Sequence, residues 1–240
     1  MDQWSANSFG NEFPDSVVAL GMTEPIKVDI WSDIACPWCF IGKRKFEAGV
    51  AAFAAGSDTP VEVEYHSFEL APDTPVDFDG SELDFLVNHK GMPAEQITEM
   101  LGRVTGIAAQ TGLEFNFDKL RHTNTVLAHQ ALHFAKAHGK QRELAEVLFR
   151  AYFTDGKHVG NIADLAELGA TVGLDAAELT AALETDRYLA DVRADQAQAQ
   201  GYGIQGVPFF VIDGKYGVSG AQEAQAFEQV LTQVSAERGA

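Results

Sequence analysis

Positive charge is scarce in this chain. Its 240 residues hold 17 Lys and Arg against 35 Asp and Glu, a formal net charge of −18. Nucleic acid is therefore a poor partner, since its phosphates require basic patches. Anionic membrane surfaces are disfavoured for the same reason. No window approaches the roughly 18 apolar residues of a membrane span. The first residues, MDQWSANSFGNEFPDSVVALG, lack a basic stretch leading into an apolar one, so no secretory leader is read and a cytoplasmic location is expected. Cysteine is scarcer still, with two residues, Cys36 and Cys39. A chain of this length with 46% hydrophobic residues builds a core without disulfide staples, so the pair is not there for stability.

What is present is organised around 29–46, DIWSDIACPWCFIGKRKF. Ile26–Ser32 alternates like a half-buried strand, and apolar residues from Phe40 to about Ala55 recur at helical spacing. Pro37 suits a first helical turn, where its missing N–H loses nothing. Cys36-Pro-Trp-Cys39 thus sits where a strand hands over to a helix. There the unpaired N–H groups and the macrodipole favour a thiolate, the reactive form of cysteine. Val61–Phe68 is a second strand, which makes a βαβ unit with parallel neighbours. Residues 81–200 then read as helices with almost no strand signal: Ser81–Lys90, Ala94–Thr111, Thr123–His138, Gln141–Thr154, Ile162–Val172, Ala176–Thr185 and Tyr188–Gln200. Asp175 with Glu178 has the look of a capping box. Pro208–Asp213 and Lys215–Ser219 form a hairpin about Asp213-Gly214, and Ala221–Ala236 is a final helix. Since a lone hairpin is marginal, the two strand-bearing ends should complete one sheet with the helical block inserted between them. The expected division is a loose arm over 1–24, an α/β domain from 25–70 and 201–240, and an inserted helical domain over 71–200.

The residues leave several chemistries open. Cys36 and Cys39 could be a redox dithiol, a plain disulfide, or half a zinc site; zinc would need two more ligands, and no second Cys-x-x-Cys exists. Cys36, at the helix start, is expected to be the more exposed thiol and Cys39 the buried one. Trp38 reads as an exposed aromatic beside them, and Lys43, Arg44 and Lys45 as solvated. Asp33 is a candidate for orienting the cysteine turn. His129 and His133, four apart on a helix, could hold a metal but more often such residues are packed, and no metal is expected. His66 reads as a packing residue.

The order βαβ–ββα with Cys-x-x-Cys at the first helix, and a helical insertion in its middle, resembles the DsbA family, and within it the mostly cytoplasmic FrnE-like branch. The residues that carry the resemblance are Asp33–Lys43 (DIACPWCFIGK), Phe68-Glu-Leu70, Asn124–His129 (NTVLAH) and Gly206–Asp213 (GVPFFVID). It implies a thioredoxin-like fold with the large all-helical insertion lying between the second and third core strands. It also implies thiol–disulfide exchange: reducing, isomerising or forming disulfides through Cys36, which attacks, and Cys39, which resolves. The resemblance makes Val207-Pro208 a cis peptide, although only about 5–6% of X–Pro bonds are cis. Pro37, Trp38, Val207 and Pro208 would then form the substrate edge, by strand addition. No bound cofactor is implied, with glutathione at most a redox partner. The substrate would be a disulfide-containing protein or a small thiol, and the chain a monomer or weak homodimer. Related thioredoxin-fold proteins, the 2-hydroxychromene-2-carboxylate isomerases and kappa-class glutathione transferases, share the insertion and supply a second expectation: a glutathione-dependent isomerase or transferase. A redox-sensing or chaperone-like binding module is the non-enzymatic one.

Overall fold

The computed structural model describes residues 24–239, so the expected loose arm lies, but for Glu24, outside the described residues. Strand β1 (Ile26–Ser32) leads into helix α1 (Pro37–Ala54) and strand β2 (Val61–Ser67). Seven helices follow: α2 (Glu82–Lys90), α3 (Ala94–Gln110), α4 (Val126–Ala137), α5 (Gln141–Arg150), α6 (Ile162–Thr171), α7 (Ala176–Glu184) and α8 (Leu189–Gly201). The chain closes with β3 (Phe209–Ile212), β4 (Tyr216–Ser219) and α9 (Ala224–Arg238).

The four strands make one sheet in the order β2-β1-β3-β4. β1 and β2 are parallel, with Ile30 beside Tyr65; β1 and β3 are antiparallel, with Ile30 beside Phe210. Thus the two ends of the chain do complete one sheet. The hairpin turns at Asp213 and Gly214, both with positive φ (58° and 64°), the backbone pair that a mirror-image turn needs. Strand alternation distributes side chains to the two faces. Ile26, Val28, Ile30, Phe210 and Ile212 join Phe46 and Phe53 of α1 and Phe227 and Leu231 of α9. Trp31, on the opposite face, packs with Phe209, Val211, Ala199 and Ile204.

The helical segment joins the first of these clusters. Phe134, Leu148, Phe149 and Tyr152 belong to the same contiguous apolar cluster as the sheet residues. Phe40 of α1 stacks on Phe149 with centroids 5.1 Å apart. The expected boundary at 70/71 falls in a loop, and that at 200/201 falls on the last turn of α8.

Three local expectations need correction. The reciprocal capping box lies at Ser81 and Asp84; Asp175 caps α7 by accepting from the Glu178 N–H, with no return bond. The helix read over Gln141–Thr154 is α only to Arg150, then widens into a π turn over Ala151–Asp155. Lys43, Arg44 and Lys45 are not simply solvated. Lys43 is 5% exposed, with Nζ 2.6 Å from both Glu47 and Glu146. Arg44 pairs with the same two carboxylates, and Lys45 reaches Glu223 at 2.5 Å. A buried ammonium must be paired. These pairs pin α5 and α9 onto the helix that carries the cysteines. Burial would raise the Glu146 carboxyl, but Arg44 and Lys43 outweigh it and hold it at about 2.

Candidate active site

Cys36 is the N-cap of α1, with extended backbone (φ −92°, ψ 112°), and Pro37 opens the helix. The turn is closed by two main-chain bonds: Cys36 N–H donates to the Asp33 carbonyl at 3.1 Å, and Cys39 N–H to the Cys36 carbonyl at 3.0 Å. No acidic side chain occupies the first turn of α1, so nothing there opposes a negative sulfur. Both cysteines are free thiols. The expected contrast in exposure is absent: Cys36 is 4% and Cys39 3% exposed. Cys36 is covered because Val207 lies across it, the Cys36 thiol donating to the Val207 carbonyl at 3.6 Å. What separates the two thiols is what they face. Cys36 lines a cavity together with Pro37, Trp38 and Val207, whereas Cys39 is enclosed in the core. Burial pushes the Cys39 thiol well up, and its hydrogen bond and charge repulsion with Cys36 push it the same way.

The Val207–Pro208 peptide is cis. Pro208 packs behind the site against Gly42 of α1; a Cβ on Gly42 would come 2.9 Å from Pro208 Cγ. Gly42 is thus a spacer between α1 and the proline turn. It stands in the quoted motif, but only the packing of two segments 166 positions apart gives it that task. Trp38 is 40% exposed at the cavity rim.

Asp33 is the hub of the turn. Its carboxylate is buried and accepts from the Ala35 N–H (3.2 Å) and the Leu70 N–H (2.8 Å), and lies 3.4 Å from His129 Nε2. Burial would lift its pKa, but His129, the Leu70 N–H and Thr125 together hold it below the usual carboxylate value. Leu70, Asn124 and His129 are thereby accounted for. Leu70 supplies an N–H, His129 a ring, and Asn124 Nδ2 holds the intervening loop through the Pro72 carbonyl at 2.8 Å. His129 and His133 are therefore core residues, His129 facing Asp33 and His133 bonded to other groups. His133 Nε2 lies 2.9 Å from Asp195 and 3.2 Å from Ser67 Oγ.

Sequence reading missed the role of His66. It lies between two carboxylates, with Nδ1 2.8 Å from Asp195 and Nε2 2.9 Å from Asp29, and stacks on Trp31 at 4.5 Å. Burial would lower its pKa, but the Asp195 and Asp29 bonds outweigh that and raise it to about 9. Among the described residues, Asp29, Glu64 and His66 could converge on a metal ion. Each already has a partner, Glu64 pairing with Lys136.

With this geometry in view, kinship is informative. Residues 27–232 match the model of the DsbA-like thioredoxin domain. The uncharacterized protein YwbO of Bacillus subtilis (strain 168) is 34% identical over 211 residues, covering 86% of this chain and 96% of YwbO. The structure of a probable DsbA oxidoreductase from Streptomyces coelicolor superimposes with a TM-score of 0.81 at 41% identity, covering 88% of this chain and 91% of that one. A 2-hydroxychromene-2-carboxylate isomerase shares the fold at 13% identity, with a TM-score of 0.66 over 89% of this chain and 98% of that one. The chain belongs to the DsbA-like thioredoxin domain family. Its fold is the thioredoxin-like fold of the DsbA oxidoreductases. Among the described residues no helix is long and apolar enough to cross a membrane.

Proposed function

We propose that the protein is a thiol–disulfide oxidoreductase that works through Cys36 and Cys39. Cys36 thiolate attacks a disulfide and one half leaves as thiolate. Cys39 then attacks Cys36 Sγ and frees the other half, leaving Cys36–Cys39 oxidised; the reverse sequence forms or rearranges disulfides. The observation that carries the reading is the seating of Cys36 at the α1 N-terminus, its thiol against the Val207 carbonyl beside cis-Pro208. The main chain around Val207 is the proposed edge for an extended substrate, with Trp38 and Pro37 flanking it. The electrostatics suit the order of events. Two of the causes that raise Cys39, its hydrogen bond and its repulsion with Cys36, vanish once Cys36 is capped in a mixed disulfide. Cys39 is then easier to ionise at the moment it must attack.

In a reducing compartment such as the cytoplasm, the proposed setting, reduction or isomerisation is the expected direction. No bound cofactor is proposed. The test is insulin disulfide reduction with paired variants. Cys36→Ser should abolish it. Cys39→Ser should abolish turnover yet accumulate a Cys36 mixed disulfide visible by mass spectrometry. A second reading, a glutathione-dependent isomerase, draws on the cavity beside Cys36 and the fold shared with the isomerase. It needs one thiol only, so isomerase turnover that survives Cys39→Ser would replace the first reading with the second.

A further inference from the structure

Beside Cys36 the protein encloses a cavity of about 360 Å³, within the roughly 300–1,000 Å³ usual for small-molecule sites. One wall belongs to the cysteine turn and Val207. The facing wall comes from the helical insertion and is apolar: Phe85 and Leu86 of α2, Met100, Leu101 and Val104 of α3, and Phe117. A polypeptide lying along Val207 would run past this recess without filling it. Polar side chains interrupt the apolar lining, among them Thr125, Lys90 and His122. His122 Nδ1 lies 2.7 Å from Glu82 Oε2, and Phe85 stacks on the imidazole with centroids 3.4 Å apart. The His122 side chain is 5% exposed, and its Nε2 has no hydrogen-bond partner among the described residues. A buried ring nitrogen without a partner is unfavourable, and a ligand atom would meet the need. Asp33 and Glu82 line the cavity together with His89 and Lys90, so its wall carries charge of both signs.

We propose that this cavity receives a low-molecular-weight disulfide. A ring-sized apolar body packs between α2 and α3, a hydrogen-bonding atom meets His122 Nε2, and a disulfide sulfur faces Cys36. The inference rests on the thiol–disulfide reading and narrows it to a substrate class. Cys36 thiolate bonds to one sulfur of R–S–S–R′, and R′–S⁻ leaves with the electron pair of the broken bond. Cys39 thiolate then bonds to Cys36 Sγ and R–S⁻ leaves. The two protons of the dithiol end on RSH and R′SH, two electrons have passed to the substrate, and an external dithiol reductant restores them.

Single-turnover reduction by the pre-reduced full chain tests this with three probes: 4,4′-dithiodipyridine, bis(2-hydroxyethyl) disulfide and insulin. Wild type should show a rate that saturates with the ring disulfide. Leu101→Trp, which fills the recess, should slow the ring disulfide at least ten-fold more than it slows insulin. Should that variant fold poorly, Val104→Ala keeps the test open: it loosens the wall and should weaken saturation by the ring disulfide at least three-fold relative to bis(2-hydroxyethyl) disulfide. Insulin reduction with no saturation by the ring disulfide, or variants that slow all probes by one factor, would overturn the cavity assignment alone. A wild-type protein that reduces none of the three would overturn the thiol–disulfide reading along with it.

Discussion

Asp33 shows how much one buried carboxylate can be asked to hold. It fixes the main chain just before Cys36, takes the Leu70 N–H from beyond β2, and faces His129 from α4. Asn at this position keeps the shape but offers one acceptor oxygen in place of two. Its amide N–H₂ would meet either the Ala35 or the Leu70 N–H, leaving a buried donor unsatisfied, which costs roughly 1–3 kcal/mol. We therefore expect Asp33→Asn to lower stability by that order in urea titration and to slow insulin reduction, because the turn holding Cys36 loosens. Wild-type stability in the variant would show that the carboxylate carries no such task.

At the scale of elements, the site is made by the approach of α1 to the turn before β3. Gly42 sets that distance. Gly42→Ala is a favourable change for helix propensity, by roughly 1 kcal/mol. Here the added methyl meets Pro208 at 2.9 Å, and overpacking of this kind costs typically about 1–3 kcal/mol. The expected result is a net loss of stability together with a fall in insulin reduction, since Val207 moves with Pro208 away from Cys36. Thermal unfolding and the reduction assay on the same sample check both halves. A stabilised, fully active Gly42→Ala would show that the close approach is not needed. The cationic run 43–45 acts on the same scale: it fastens the helical segment to α1 through Glu146, and α9 to α1 through Glu223.

Across the whole molecule, Asp195 is the tie between sheet and helices. Its carbonyl accepts from the Trp31 indole, and its carboxylate meets His66, His133 and the Ser67 N–H. Burial would raise the Asp195 carboxyl; His133 and His66 reverse that and hold it well below its ordinary value. The folded His66 sits at about 9 against an ordinary 6.5. A raised folded pKa means stability that is fully present below about 6.5 and lost as pH rises through about 9. One pKa unit corresponds to about 1.4 kcal/mol, so the alkaline loss is of order 3 kcal/mol as an upper bound. Asp195 works in the opposite sense: its contribution is present above its unfolded pKa and falls away in acid. Denaturant midpoints should hold up to about pH 6.5 and then decline towards pH 9.5. His66→Gln should flatten that alkaline slope; an unchanged slope would place its origin elsewhere.

The strands themselves, the inserted helical run and the Cys36–Cys39 turn were legible because they depend on local periodicity and on residues adjacent in the chain. Ile26–Ser32 alternates whatever lies beside it, and Pro37 and the cysteines meet within one helical turn. What sequence could not supply depends on which distant side chains share a space. Lys43 looks like a surface lysine until Glu146, 103 positions on, is folded against it. His66 looks like packing until Asp195 arrives from 129 positions away. The near-equal burial of the two thiols follows from Val207, which folds back across Cys36 from the far end of the insertion. Local spacing therefore determined where the reactive sulfurs stand. Tertiary packing alone decided what covers them, which distant groups hold the Asp33 carboxylate before the turn and that a cavity opens beside Cys36, because charge pairing, desolvation and enclosed volume exist only once distant segments have displaced water between them.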